Sequence, residues 1–344
     1  MLIKLSKQIN VTEGAPRLTD YVEGNNLLRD SIMDAIGINN AKGKPVIFTD
    51  DNNGEIRPID GWGKGSIPIN IKGVDPENGE MVNIIAVDSS STTVAETEDG
   101  GIYAVKGGSC IIREGKTYFQ KIGPFIAYVG LSNIDKISHA LLTKIGYATA
   151  VDKQIALKFL RNMTENMIID NGINEIKKVQ VLVDGSFKEP PFDLGRYSLS
   201  NIIEKHKDRA MFLGISKSSS IRAIRALYGG FAGPKIQFAD ISTLIYSLSK
   251  GEFGRKMLIK MNEDGFVFRA DLDDYSDPGY VLASLKKSDR LMHGYPESLK
   301  IAHLLSIFTS AEVAGVKATV AGVASKVLVG ENMRKVLLGS LKVI

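Results

Sequence analysis

Two aspartates each close an apolar, strand-like run: Asp88 in Ile84-Ile85-Ala86-Val87-Asp88-Ser89-Ser90-Ser91, and Asp184 in Val181-Leu182-Val183-Asp184-Gly185-Ser186-Phe187. Apolar runs of this length followed by Gly and Ser predict buried strands that stop at a turn. A carboxylate at that point lies at a sheet edge, where ligands of open α/β sheets collect. Two acids so placed suit a divalent cation on a phosphate, and therefore phosphoryl chemistry. Two ions about 3.5–4 Å apart repel strongly, so a two-metal site needs further acids. Glu165 is the first candidate for the third carboxylate, with Glu175 and Asp170 as substitutes. The plain alternative for Glu165 is a surface ion pair with Arg161, four residues earlier on a helix.

The elements that would carry these acids are legible in outline. A strand from Val82 to Asp88 precedes a polar turn. Ile102–Val105 and Cys110–Arg113 flank Gly107-Gly108, a two-glycine hairpin signal. Tyr118–Ile122 and Phe125–Val129 extend the meander. Ile155, Phe159, Met163 and Met167 recur every four residues, which predicts an amphipathic helix ending near Asn171-Gly172. The Val181–Asp184 strand follows, then a strand over Ala210–Ile215 and a helix from Ser218 to Leu227 stopped by Gly229-Gly230. Met257–Met261 and Phe266–Ala270, separated by Asn262-Glu263-Asp264-Gly265, predict a second hairpin. Pro278 and Pro296 open two late helices.

Meander, helix, strand, helix, strand is the order of the ribonuclease H-like fold, an α/β architecture with a mixed sheet flanked by helices. In that fold Asp88 and Asp184 are neighbours in space. The expected organisation is an appended, turn-rich N-terminal region over residues 1–78, the catalytic domain over 79–330 and a tail over 331–344. Possible strands in the first region are Pro45–Phe48 and Ile67–Ile69.

Composition sets outer bounds. The chain has 344 residues, 44% hydrophobic and 24% charged, as expected of a globular protein with a sizeable core. No apolar run looks long enough to cross a bilayer, and the N-terminus lacks a signal-peptide pattern. One cysteine, Cys110, excludes a disulfide framework and reads as a packed strand residue. The expected location is the cytoplasm, in association with the nucleoid. Net charge is only +4, but no acid occurs from Arg209 to Ala239, where Arg209, Lys217, Arg222, Arg225 and Lys235 fall. Such a stretch suits an anionic partner such as a nucleic-acid backbone, or simply a solvated helix face. Trp62, Phe48, Tyr103 and Tyr118 are candidates for stacking on bases, with core packing the plainer role.

Five motifs in order carry a resemblance to the archaeal NurA nucleases. The family's first motif, an apolar strand ending in Asp-Gly-Ser, stands here as Ala86-Val87-Asp88-Ser89-Ser90, with Ser89 in place of glycine. The second stands intact as Leu182-Val183-Asp184-Gly185-Ser186-Phe187. Gly214-Ile215-Ser216-Lys217, Arg269-Ala270-Asp271 and Gly294-Tyr295-Pro296 with Ala302-His303 resemble the rest. The resemblance covers roughly residues 80–320. It implies a ribonuclease H-like catalytic domain in which Asp88, Glu165 and Asp184 are metal ligands. His303 would complete the metal site or act on the leaving group, Tyr295 would position the phosphate or the attacking water, and Lys217 would contact the scissile phosphate. Apart from the resemblance, Lys217, Arg222 and Arg225 of the acid-free stretch and Arg269 are candidates to contact DNA, with a structural ion pair to Asp271 the plainer role for Arg269. The resemblance also implies manganese (with magnesium as the alternative), single-strand endonuclease and 5′→3′ exonuclease activity, a homodimer, and a HerA-type hexameric translocase as partner in end resection during double-strand break repair.

Two other functions are compatible with parts of the pattern. Ile85–Thr93 resembles the phosphate-binding loop of actin-like and sugar-kinase ATPases, where an acid and hydroxyls surround nucleotide phosphates. A non-catalytic nucleic-acid-binding protein of the same fold would account for the departure at Ser89.

Overall fold

The computed structural model describes residues 36–42, 45–48, 69–188, 190, 192, 194–217, 231, 233, 235–245, 252–324 and 326–329. Its strands are β1 (Pro45–Phe48), β2 (Lys72–Val74), β3 (Asn83–Thr97), β4 (Gly100–Arg113), β5 (Lys116–Gly130), β6 (Val179–Asp184), β7 (Ala210–Ser216), β8 (Ile236–Asp240), β9 (Arg255–Lys260), β10 (Val267–Leu272), β11 (Leu291–Met292), β12 (Tyr295–Pro296) and β13 (Lys326–Val329). The helices are α1 (Ile134–Leu141), α2 (Ala148–Val151), α3 (Lys153–Glu175), α4 (Leu199–His206), α5 (Ser242–Ile245), α6 (Pro278–Ser288), α7 (Glu297–Ser306) and α8 (Ser310–Val323).

The long strands β3, β4 and β5 form an antiparallel meander, and β6 and β7 add to β3 in parallel. Beyond β7 the sheet continues through β10, β9, β8 and β2. The expected order of meander, helix, strand, helix, strand is therefore present as β3-β4-β5-α3-β6-α4-β7. The N-terminal region is tied to the same sheet. β1 pairs with β13 and touches β3 at Ile47 opposite Glu96, while β2 pairs with β8.

Apolar residues on both faces of the central strands explain their unbroken hydrophobic runs. Ile85, Val87, Val181 and Val183 point to the face covered by α3 and α4, against Ile169, Ile173, Ile202 and Ile203. Ile84, Ala86 and Leu182 point to the opposite face, covered by α6 and α7 through Val281, Leu282, Leu285, Leu299 and Ala302. With a period of two, Asp88 and Asp184 fall on the α6/α7 face and Ser89 on the α3 face. Cys110 packs on the α6/α7 face, where burial pushes its thiol up to about 12, as its expected packing role requires.

Three expectations are corrected. β3 does not stop at Asp88 but runs to Thr97, because its hydroxyls find partners inside the fold. Ser90 donates to the Ser306 carbonyl and Ser91 to the Leu157 carbonyl at 3.1 Å, while Val94 and Ala95 are buried. Gly107-Gly108 is not a hairpin but the middle of β4, whose turns lie at its two ends. The third concerns α3, which continues through Gly172 to Glu175. A Cβ at Gly172 would stand 3.0 Å from Ile85 Cδ1, so the glycine there permits close helix–strand approach and does not mark a stop.

The segment Glu297–Val323 reaches a mean hydropathy of 1.3 and is long enough by composition to cross a membrane, contrary to the expectation that no run is. It is divided into α7 and α8, and α8 is anchored by a charged cluster at its start. Thr309 and Glu312 form a capping box. Buried Lys106 on β4 donates to the Ile307 carbonyl at 2.6 Å and to Glu312 Oε2 at 3.1 Å, and Lys121 donates to Oε1 at 2.6 Å. Burial alone would raise the pKa of Glu312, but Lys121, the Thr309 N–H and Lys106 together bring it down from 4.5 to about 2. Its stabilising contribution is therefore complete above the ordinary carboxylate range and lost as the pH falls toward 2. Glu312→Gln is expected to lower stability at pH 7 by about 2–3 kcal/mol. Urea unfolding across pH should show that deficit shrinking through the acid range; a deficit that stays constant to the lowest pH would contradict the ion-pair account.

Candidate metal centre

Asp88 lies at the point where the parallel pairing of β3 with β6 ends, one residue beyond the Val87–Val183 pair, and Asp184 is the last residue of β6. The two carboxylates therefore share one edge of the parallel segment even though β3 continues past it. After Asp184 the chain turns through Gly185, whose φ of 121° is open to glycine and strained for any other residue. His303 projects from α7 to complete the group. One ligand atom each from Asp88, Asp184 and His303 lies within 4.8 Å of the others. His303 Nδ1 is 2.6 Å from Asp88 Oδ2 and 4.0 Å from Asp184 Oδ2. The ring is 43% exposed, so His303 is not the packed core histidine that its apolar helix would allow.

The remaining expected residues fall into place unevenly. Lys217 follows β7 directly and donates to Asp184 Oδ2 at 2.6 Å. Tyr295 donates to Asp184 Oδ1 at 3.2 Å, and Lys217 Nζ stands 5.5 Å from the centre of its ring. Tyr295 arrives there by a two-residue hairpin between β11 and β12, with φ of 51° at His293 and 85° at Gly294. Burial, Asp184 and Asp88, in that order, raise the phenol far above its usual range. Tyr295 thus serves Asp184 as a hydrogen-bond donor.

Glu165 approaches from the other face. Its Oε1 accepts from Ser89 Oγ at 2.7 Å and from Ser89 N at 3.1 Å, while the same N–H donates to Asp88 Oδ1 at 2.8 Å. The carboxyl is adjacent to the Asp88–Asp184–His303 group and linked to it through one backbone N–H. Of the substitutes, Asp170 is held by Lys205 at 2.6 Å and His206 at 2.7 Å, and Glu175 is exposed at the end of α3. Ser89, which stands where the family motif has glycine, is in extended strand backbone and needs no turn. Its hydroxyl and those of Ser90 and Ser91 have protein partners, so Ile85–Thr93 is not a nucleotide-binding loop.

Arg269 is displaced from its expected role. It is 5% exposed and bound to Glu252 and Asp271, so its guanidinium faces protein and not a DNA backbone. Arg222, Arg225, the helix over residues 218–227 and Trp62 lie outside the described residues. Tyr103 is buried in the core against α1–α3, and Tyr118 packs partly against the α3/α4 face. The roles of three residues escape sequence reasoning. Ser306 Oγ donates to Asp88 Oδ2 at 3.0 Å, three residues after His303 on the same helix. Gly108 and Gly107 lie directly across β4 from Asp88 and Ser89. A Cβ on Gly108 would meet the Ala302 carbonyl at 2.4 Å and Leu305 Cβ at 2.7 Å; one on Gly107 would meet Ile168 Cδ1 at 2.6 Å.

The strand order β5-β4-β3-β6-β7, with its antiparallel meander, its parallel pair and acids at the shared edge, defines a ribonuclease H-like α/β fold. Among solved structures the chain is similar to the NurA nuclease from Sulfolobus solfataricus, at 15% identity over 89% of this chain and 93% of that one, with a TM-score of 0.47. It is similar to a second NurA structure at 8% identity over 80% and 91% of the two chains, with a TM-score of 0.42. It is also similar to endonuclease V from Streptomyces avermitilis at 10% identity over 73% and 88%, with a TM-score of 0.35. The sequence matches no protein-family profile and no curated protein.

Two predictions follow from the geometry. Burial raises the Glu165 carboxyl to about 7, Arg161 opposes, nearby Asp88 adds to the rise, and the Ser89 hydrogen bonds offset part of it. The folded protein then holds a proton that the unfolded chain releases between pH 4.5 and 7, so this group makes stability fall as pH rises through that window. With chelator present, Glu165→Gln is expected to stabilise the protein at pH 8 by on the order of 2 kcal/mol and to have little effect at pH 4.5. Equal effects at both pH values in thermal unfolding would refute it. Gly108→Ala meets backbone and not the end of a flexible side chain, so α7 must shift. A loss of about 1–3 kcal/mol is expected, with weakened metal binding, whereas Gly107→Ala meets the movable end of Ile168 and should retain binding in calorimetric titration.

Proposed function

We propose that this protein is a divalent-metal-dependent nuclease that hydrolyses phosphodiester bonds in DNA. The observation that carries the proposal is the convergence of Asp88, Asp184 and His303, with Tyr295 and Lys217 on the outer carboxylate. Two carboxylates and an imidazole form an oxygen-rich donor set that fits manganese or magnesium. Glu165 stands one hydrogen bond away and would add a fourth group. A bound divalent ion would supply charge neutralisation at the phosphate and a more acidic water.

The side chains themselves divide the remaining work. Ser306 and the Ser89 N–H hold Asp88 through both oxygens. Tyr295 orients Asp184 through its phenol hydrogen bond. Lys217 sits on the exposed side of Asp184 as a point charge within reach of a phosphate that would bind there. His303 completes the donor set through the nitrogen facing Asp88. Arg222 and Arg225, in the acid-free stretch, would add backbone contacts to DNA.

The finer assignment rests on the five-motif resemblance. It gives manganese as the working ion, single-strand endonuclease and 5′→3′ exonuclease activity, a homodimer, and a HerA-type hexameric translocase feeding DNA ends for resection at the nucleoid. It also gives residues 79–330 as the catalytic unit.

Labelled single- and double-stranded DNA incubated with Mn2+, Mg2+ or EDTA tests the proposal. Cleavage should require the ion and fall by about 10²–10³-fold in Asp184→Ala. Degradation that persists in EDTA, or that the substitution leaves unchanged, would sink it.

A further inference from the structure

The turn that follows Asp184 is fastened to a buried charge cluster that the proposed chemistry does not use. Asp271, on β10, is fully enclosed at 1% exposure. Its Oδ2 accepts from Phe187 N at 2.8 Å and from Lys256 Nζ at 3.0 Å, and its Oδ1 accepts from Arg269 Nε at 3.2 Å. Arg269 also binds Glu252, whose residue forms a β-bridge with Lys188. Phe253 N donates to the Phe187 carbonyl at 3.2 Å, and the two phenyl rings stack at 5.5 Å. At its other end Gly185 N donates to the Ile215 carbonyl at 3.0 Å. The chain from Asp184 to Lys188 is therefore held at both ends, and among the described hydrogen bonds the side chain that binds its backbone is that of Asp271.

Four charged groups gathered inside a protein are an expensive way to gain stability. Removing two pairs of ions from water offsets much of their mutual attraction, and apolar side chains of similar size often serve a fold as well. Such a cluster is better explained by what it holds in place. Here that is a backbone N–H three residues from Asp184, in a segment with no helix of its own to fix it. Groups that orient metal ligands commonly matter about 10–100-fold in affinity.

We propose that Asp271 is a positioning residue: held by Arg269 and Lys256, it fixes the Asp184–Phe187 turn and so sets the Asp184 carboxylate for metal binding. This rests on the metal-dependent reading of the Asp88–Asp184–His303 group. Arg269 and Lys256 act one step further out, offsetting the buried charge of the cluster and so contributing to stability.

Calorimetric titration of the full chain with Mn2+ tests it, using Asp271→Leu, Asp271→Asn and Lys256→Met beside the wild type. Asp271→Leu removes the acceptor for Phe187 N–H and should weaken Mn2+ binding by at least about tenfold. Asp271→Asn keeps an acceptor oxygen of the same reach and should recover binding to within a few-fold of wild type. Lys256→Met keeps the Asp271–Phe187 contact and should lower the melting temperature while leaving Mn2+ affinity near wild type. A merely structural cluster would instead lower the melting temperature in all three variants with unaltered affinity, and that result overturns the proposal. Should Asp271→Leu fail to fold, Asp271→Ala replaces it beside Asp271→Asn: the alanine variant is expected to bind Mn2+ at least about tenfold more weakly than the asparagine variant, and equal affinities of the two contradict the assignment. Wild-type protein that binds no Mn2+ would overturn the metal-centre reading and this inference together, whereas binding by the wild type and undiminished binding by Asp271→Leu would overturn this inference alone.

Discussion

Everything at the site depends on the close approach of two helices to one strand, on opposite faces of β4, at adjacent glycines. Gly108 admits α7 and Gly107 admits α3, and their partners across the ladder are Asp88 and Ser89. The first approach brings His303 and Ser306 over Asp88; the second brings Glu165 to Ser89. A Cβ at Gly108 would stand against the backbone of α7, and one at Gly107 against the Ile168 side chain of α3. The register between β3 and β4 thus determines which acid each helix meets, and a one-residue slip would exchange the faces.

Electrostatics and packing pull against each other here. Asp88, Asp184 and Glu165 crowd a largely buried edge, and the carboxyl of Glu165 is driven up to about 7 by that burial. The fold offsets the crowding locally: Ser306, the Ser89 N–H, Tyr295 and Lys217 each give a donor to one of the acids. Such a site is less stable than an apolar one of the same volume, and a divalent ion would relieve it. The Glu312 cluster under α8 is the contrast. There Lys106 and Lys121 draw an acid down to about 2, and the pairing holds the fold together.

Much of this was legible in the residues. The apolar runs ending in Asp88 and Asp184 identified the acids, and the order of elements identified the fold, because buried parallel strands and amphipathic helices leave strong periodic patterns. What misled was local punctuation. Gly107-Gly108 has the composition of a hairpin, yet its purpose is to admit helices from elements distant in sequence. Ser89-Ser90-Ser91 has the composition of a turn, yet each hydroxyl has a tertiary partner that keeps the strand going. For Arg269 the motif Arg269-Ala270-Asp271 itself offered a structural ion pair beside the DNA contact; only the second partner, Glu252, comes from outside that motif. For Ser306 the only local signal was its spacing of three residues from His303 on a helix.

The claim at the centre is that Asp88, Asp184 and His303 hold a divalent ion. A crystal structure of the protein grown with Mn2+, with anomalous data recorded near the manganese edge, addresses it directly. The account predicts an anomalous peak in contact with oxygens of Asp88 and Asp184 and a ring nitrogen of His303, with Lys217 moved off Asp184. A manganese-soaked structure with no peak there, or with Lys217 still bound between the acid and Tyr295, would contradict it.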